Sequence, residues 1–210
     1  MVPRVAAGRA AVEPSSVEQR ARHVRILEAA EELATEKDLD RVQMHEVAKR
    51  AGVAIGTLYR YFPSKIHLFV GVMADQVDRM SEGIARRPPS TADAAERVFG
   101  VLVRANRSLL SKPALAKAMI QSSNAANAAV VTDVARIDST FRTVLLAAAG
   151  VDRPTTDDLA VVRLLLQVWF GILQSSLNGR ISMPDAEADL RLACTLLLRG
   201  MSLGDDDATG

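Results

Sequence analysis

No segment of the chain sustains the period-two alternation of a half-buried strand, whereas apolar residues recur at helical spacing between well-marked breaks. That contrast leaves little room for a sheet. It predicts an all-α fold of about nine helices. The breaks are "KDLD", "AGVA", the proline at Pro63, "RRPPST", "SKPAL", "AGVDRPTTDD" and "NGRISMPDAE". With 210 residues, 49% of them hydrophobic and 24% charged, the chain has material for a substantial core. Four segments are expected: a flexible arm over residues 1–15, a helix-turn-helix domain over 16–65, a larger helical domain over 66–203, and a disordered acidic tail over 204–210.

The first helix should begin at Ser16. "SVEQ" has the spacing of a capping box, in which the serine oxygen takes a free backbone N–H and Gln19 reaches back. Val24, Leu27, Ala30 and Leu33, with Ile26 beside them, form its apolar stripe. "QMHEVAKRAG" is a second, short helix with Val47, Ala48 and Ala51 inward and Gly52 able to stop it in a left-handed turn. A third short helix, "AIGTLYRYF", follows at once. Two short helices joined by "AGVA" have the layout of a helix-turn-helix.

Both tyrosines of the chain fall in the thirteen residues "VAIGTLYRYFPSK". The 3.6-residue period puts Ile55, Leu58 and Phe62 on one side of the third helix, expected to be buried, and Thr57 and Tyr61 on the other, expected to face out. Gly56 at the helix start allows close backbone approach, and the first amides favour an anion such as phosphate. Lys65 is a cation suited to the same footprint. The plainer alternative is that both tyrosines pack in a core and Lys65 is solvated. By chemistry alone the two readings are balanced, because helix-turn-helix spacing is a weak signal.

The run "AGVAIGTLYRYFPSKIHLF", preceded by "VQMHEVAKR", resembles the signature of the TetR family of transcriptional regulators over about residues 20–70. The resemblance implies an operator of double-stranded DNA as partner. It also implies contacts at Gln43 and Met44, at Ala54, Ile55, Thr57, Tyr59 and Tyr61 in the third helix, and at Lys65. The sequence departs from the family pattern twice. Ala54 stands where a serine is usual and removes the cap of the third helix, a loss of about 1 kcal/mol. Met44 stands where threonine is common and offers an apolar contact in place of a polar one.

Residues 1–65 carry eleven Lys/Arg against nine Asp/Glu, a slight basic excess. Arg4, Arg9, Arg20, Arg22 and Arg25 crowd the arm and first helix, where backbone contacts to DNA would be useful; a solvated face is the alternative.

Beyond residue 90, "AMIQSSNAANAAVV" is rich in small residues. Either it leaves space in a helical core or it makes a tight crossing. Phe99, Val103, Met119, Ser123, Phe141, Trp169 and Leu173 are the candidate lining of an effector site, because TetR-like regulators commonly bind small molecules there. Within the family the chain is most similar to the actinobacterial repressors of cholesterol and steroid catabolism, through "VQM", "GTLYRYFPSKIHL", the "AM" after "KPAL" and "VWF". This implies a large hydrophobic effector, such as a steroid or an acyl thioester. "LAVVRLLLQVWFGILQSSL" is apolar almost all round and demands burial on more than one side. With the Leu-rich final helix it implies a homodimer of the family's kind.

An enzyme is not expected, and neither is a cofactor. His23, His45 and His67 have no metal-ligand spacing, the single Cys194 rules out a cysteine-built zinc site, and no glycine-rich phosphate loop is present. The N-terminus lacks an apolar run of signal length, and Leu159 to Leu173 is interrupted by Arg163 and Gln167. A soluble, cytoplasmic regulator with no membrane partner is therefore expected. A helical interaction protein without DNA binding is the competing class, supported by Ala54 and the near-neutral net charge of +1.

Overall fold

A computed structural model describes residues 13–87, 91, 93–126, 131–199 and 201. Residues 1–12 of the expected arm over 1–15, with Arg4 and Arg9, and the expected acidic tail over 204–210 lie outside the described residues. The chain is all-α, as expected. Among the described residues nine α-helices run in order: α1 (Val17–Glu36), α2 (Met44–Arg50), α3 (Ile55–Tyr61), α4 (Lys65–Arg86), α5 (Ala94–Leu110), α6 (Pro113–Ala125), α7 (Thr132–Ala149), α8 (Thr156–Leu177) and α9 (Met183–Leu198). A short 3-10 turn, Leu39–Arg41, precedes α2.

These elements form two compact units, one of the described residues within 1–76 and 112–137, the other of those within 77–111 and 138–210. In the first, α1 packs on α2 and α6, and α2 on α3. The start of α1 differs in one detail from the capping box. Ser16 Oγ accepts the Gln19 N–H at 3.2 Å, but the Gln19 carboxamide reaches Ser15, whose N–H it accepts at 2.8 Å. Along α1, Ile26, Leu27, Ala30 and Leu33 are buried as expected. Val24 is not. It is exposed, and Ala29 and Ala34 complete the buried stripe instead.

The second unit is built on α5 against α9, α8 against α9, and α5 against α8. Arg97 braces it: its guanidinium donates to the carbonyls of Ala148 at 2.7 Å and Ala149 at 3.0 Å, satisfying the open end of α7. Thr155 caps α8 by accepting the Asp158 N–H at 3.2 Å, and the buried Asp158 carboxylate accepts the Thr155 N–H at 2.8 Å. Core residues on α8 are Val162, Leu165, Trp169 and Leu173, and on α9 Ala186, Leu190, Cys194 and Leu198. Burial pushes the Cys194 thiol up to about 12, so it is an inert core residue rather than a nucleophile. In spite of Arg163 and Gln167, α8 is long and apolar enough to cross a membrane by length and composition. Five of its side chains, Asp158 among them, are buried, while Leu164 and Val168 stand exposed.

Candidate nucleic-acid interface

The turn between α2 and α3 is set by the backbone. Gly52 takes φ +64°, its N–H bonds the Lys49 carbonyl at 3.3 Å, and the Val53 N–H bonds the Ala48 carbonyl at 3.0 Å. This is a Schellman closure, which a side chain at position 52 would strain. Arg25 Nε donates to the Ala51 carbonyl at 3.4 Å, tying the same corner to α1.

α2 is held against α1 by ion pairs. Lys37 Nζ lies 2.8 Å from the Glu46 carboxylate, which also accepts the Gln43 N–H at 3.2 Å; Arg50 reaches Glu36 at 2.6 Å and Glu32 at 3.7 Å. Hydrogen bonds from Arg50 and Lys37 hold the carboxyls of Glu36 and Glu46 below the usual range, and the Glu36 bond raises Arg50. Arg50, although exposed, is thus committed to carboxylates of α1. Of the arginines singled out in the sequence, Arg20 donates to the Ser15 carbonyl at 3.4 Å and Arg22 pairs with Glu18.

The short helix α3 is where the structure departs most from helical-wheel reasoning. Leu58 and Phe62 are buried as expected, but Tyr61 is only 2% exposed and Ile55 is 43% exposed. Tyr61 is a core residue, not an outward one. Its ring meets His23 edge-on at 5.8 Å, the His23 ring lies 4.9 Å from Phe62, and the Arg60 guanidinium sits over Tyr61 at 5.2 Å. Phe62 enters the core because α4 carries Gly71 at the contact: a Cβ there would come within 2.7 Å of the phenyl ring.

What remains outward on α3 is Ala54, Ile55, Gly56, Tyr59 and Arg60, with Thr57 half-buried. Tyr59 is 45% exposed, one turn beyond Ile55. Ala54 occupies the cap position and supplies no side-chain bond. At the start of α2, Gln43 is exposed and Met44 half-buried. Lys65 is not simply solvated: its ammonium donates to the Leu39 carbonyl at 2.9 Å and weakly to that of Asp40 at 3.5 Å, fastening the 3-10 turn to the start of α4.

This helix-turn-helix matches the family profile "Bacterial regulatory proteins, tetR family" over residues 26–72, and residues 92–197 match "Tetracyclin repressor-like, C-terminal domain". The chain belongs to the TetR family. It is 36% identical over 184 residues to the HTH-type transcriptional repressor KstR of Rhodococcus jostii (strain RHA1), covering 88% of this chain and 86% of that protein. It is 33% identical over 196 residues to KstR of Mycobacterium tuberculosis (strain ATCC 25618 / H37Rv), covering 93% and 87%. A crystal structure of a TetR transcriptional regulator from Rhodococcus sp. RHA1 is 63% identical and superposes with a TM-score of 0.82, over 87% of this chain and 98% of that one. The TetR family is one of transcriptional regulators rather than enzymes.

The candidate effector residues are distributed over both units of the TetR chain. Met119 and Ser123 lie on α6 in the first, where Met119 is buried and the Ser123 hydroxyl donates to Met73 Sδ at 3.1 Å. Phe99, Val103, Phe141, Trp169 and Leu173 are all buried in the second. The structure brings Phe141 and Trp169 together with ring centroids 5.1 Å apart, whereas Phe99 is stacked under the Arg191 guanidinium at 4.0 Å. Sequence reasoning missed Asn106, a buried residue on α5 whose carboxamide has no hydrogen-bond partner; the Trp169 indole N–H is likewise unpaired. The available signal was an Asn seven residues after Phe99, on the same side of α5. An open groove of about 470 Å³ in this unit is lined by the polar residues Asp78, Ser81, Glu82, Ser139, Thr140 and Thr143, and includes none of the candidate effector residues.

Proposed function

We propose that the chain is a ligand-responsive repressor: two copies grip a near-palindromic DNA operator, and a hydrophobic small molecule releases it. The observation that carries this reading is the outward face of α3, presented by a turn that Gly52 fixes, in a TetR chain whose relatives are named repressors. DNA contact is assigned to Gln43, Met44, Ala54, Ile55, Gly56, Thr57 and Tyr59. Lys65 adds the one N–H left by its two carbonyl bonds, directed to a phosphate. Tyr61 is not assigned a contact, since burial removes it from the face.

The dimer uses the exposed apolar side chains of α8 and α9. Leu192 and Leu196 are 57% and 56% exposed and lie one helical turn apart, and Leu164 and Val168 repeat the spacing on α8. Large apolar residues at this spacing on two packed helices favour an apolar partner, and a second copy supplies an identical face. Two recognition helices would then meet half-sites about 34–36 Å apart.

The effector reading places a steroid or an acyl thioester in the second unit, against Phe99, Val103, Phe141, Trp169 and Leu173. The unpaired Asn106 carboxamide and Trp169 N–H are the groups suited to a polar oxygen of such a molecule, because a buried amide without a partner is costly. The expected compartment is the cytoplasm. An effector that prefers one conformation of the chain shifts the population and weakens operator binding.

The test is binding of purified protein to its own upstream intergenic DNA, titrated over salt, with and without steroids and acyl-CoA thioesters. Sequence-specific retention that falls linearly in log K against log salt, and falls again with effector, is expected. No preference over random DNA would refute the DNA reading. An effector that binds and leaves operator affinity unchanged would refute the release mechanism.

A further inference from the structure

A recognition helix reads bases with the residues of its first turns, and here those residues are almost devoid of hydrogen-bonding groups. From Val53 to Phe62 there is no Asn, Gln, Lys, Asp or Glu. The side chains that usually bond adenine or cytosine edges are therefore absent from α3, and the one guanidinium, Arg60, lies over the Tyr61 ring and donates to its hydroxyl at 3.4 Å. Thr57 is half-buried. The outward surface of the first turn is Ala54, Ile55 and Gly56.

Two observations mark this surface as built for an outside partner. Ile55 is a large apolar side chain left 43% exposed while Leu58, Tyr61 and Phe62 of the same helix fill the core. Gly56 has no internal reason to be glycine: its φ is not positive, and a Cβ built on it meets nothing within 4 Å. Glycine weakens a helix relative to alanine, so the fold by itself would favour alanine at this position. Omitting the methyl leaves room for a surface that comes close to the backbone beside Ile55.

In the major groove the apolar feature that distinguishes one base pair from the others is the thymine C5-methyl group. We propose that Ile55 is the specificity-determining residue of this helix and that it reads a thymine 5-methyl group, with Gly56 allowing the approach. The inference rests on the reading of the chain as an operator-binding regulator and deepens it: base choice at this position comes from methyl contact rather than from a hydrogen bond.

The experiment starts from duplexes enriched from a random-sequence pool by the purified full-length protein. In the best duplex each thymidine is replaced singly by deoxyuridine, which removes the methyl and keeps the pairing, and affinity is read by fluorescence anisotropy at fixed salt. One thymidine per half-site should stand out, with a loss of about fourfold, and about fifteenfold when both half-sites are changed. Ile55→Ala, an exposed position, should bind the parent duplex about that much more weakly and show no further loss with deoxyuridine; Ile55→Val should fall between. A specific duplex that tolerates every deoxyuridine within twofold overturns the proposal, as does an Ile55→Ala protein that keeps the full discrimination. A pool that yields no enriched sequence removes the operator-binding reading itself, and this inference with it.

Discussion

Gly56→Ala separates what α3 does for the fold from what it does for DNA. The new methyl meets no atom within 4 Å, so it costs no packing. It also removes conformational freedom from the unfolded chain, which should stabilise the protein by about 0.4–1 kcal/mol. Position 56 is the second residue of α3, where helix propensity counts less than in a helix centre, so the lower half of that range is expected. For a chain of this length, about 0.5 kcal/mol corresponds to a Tm rise of roughly 1–2 °C. With Gly56 at the DNA face as proposed, operator affinity should move the other way by about tenfold, since the methyl would stand between the helix and the groove edge. Gly71→Ala is the control with opposite character: its Cβ would sit 2.7 Å from the Phe62 ring and 3.4 Å from Leu27, and overpacking there should cost about 1–3 kcal/mol. Differential scanning fluorimetry at fixed protein concentration reads the first effect and anisotropy on the operator reads the second. A Gly56→Ala protein that is less stable than the parent, or that is more stable and binds DNA as well as before, would refute the assignment of open space at this position to DNA.

Three further outcomes follow from particular contacts. Tyr61→Phe should leave operator affinity within twofold because the ring stays in its site against His23, whereas Tyr59→Ala should weaken binding several-fold; a reversed pattern in the same anisotropy assay would assign the DNA contact to Tyr61 instead of Tyr59. Burial lowers the pKa of both His23 and His67, with Asp133 opposing the shift at each. The unfolded chain therefore takes up protons first as the pH drops through about 6.5, the ordinary value. Stability is full above that pH and declines on acidification toward the lowered folded values. Urea midpoints at pH 7.5 and 5.5 should show this loss, and His23→Leu should shrink it; an unchanged difference in that variant would exclude His23 as a source. Leu192→Glu with Leu196→Glu should convert a dimer to a monomer in analytical ultracentrifugation while far-UV circular dichroism stays helical. A variant that sediments as a dimer would place the interface elsewhere.

Helix positions and types were legible in the sequence because their signals are local. Capping serines, the proline at Pro113 and the glycines that end helices act through backbone groups a few residues away. The missing cap at Ala54 was legible for the same reason. The Phe141 and Trp169 pair was anticipated only as two apolar side chains in one domain; their meeting depends on how α7 and α8 pack within the second unit. The unpaired Asn106 was not anticipated, since an Asn in a helix says nothing of its burial until its neighbours are in place.

By itself the sequence determined the all-α class, the turn at Gly52 and the membership in the TetR family, since each depends on residue types at short, fixed spacing. Only the tertiary structure decided which side of α3 faces out. A two-turn helix with Ile55, Leu58, Tyr61 and Phe62 has more apolar side chains than one face can bury, so its own period leaves the orientation open. The choice was made from outside the helix. The His23 ring of α1 packs against Tyr61 and Phe62, and the missing side chain at Gly71 of α4 admits the Phe62 ring. Close packing of those distant residues turned Tyr61 inward and left Ile55, Gly56 and Tyr59 on the surface.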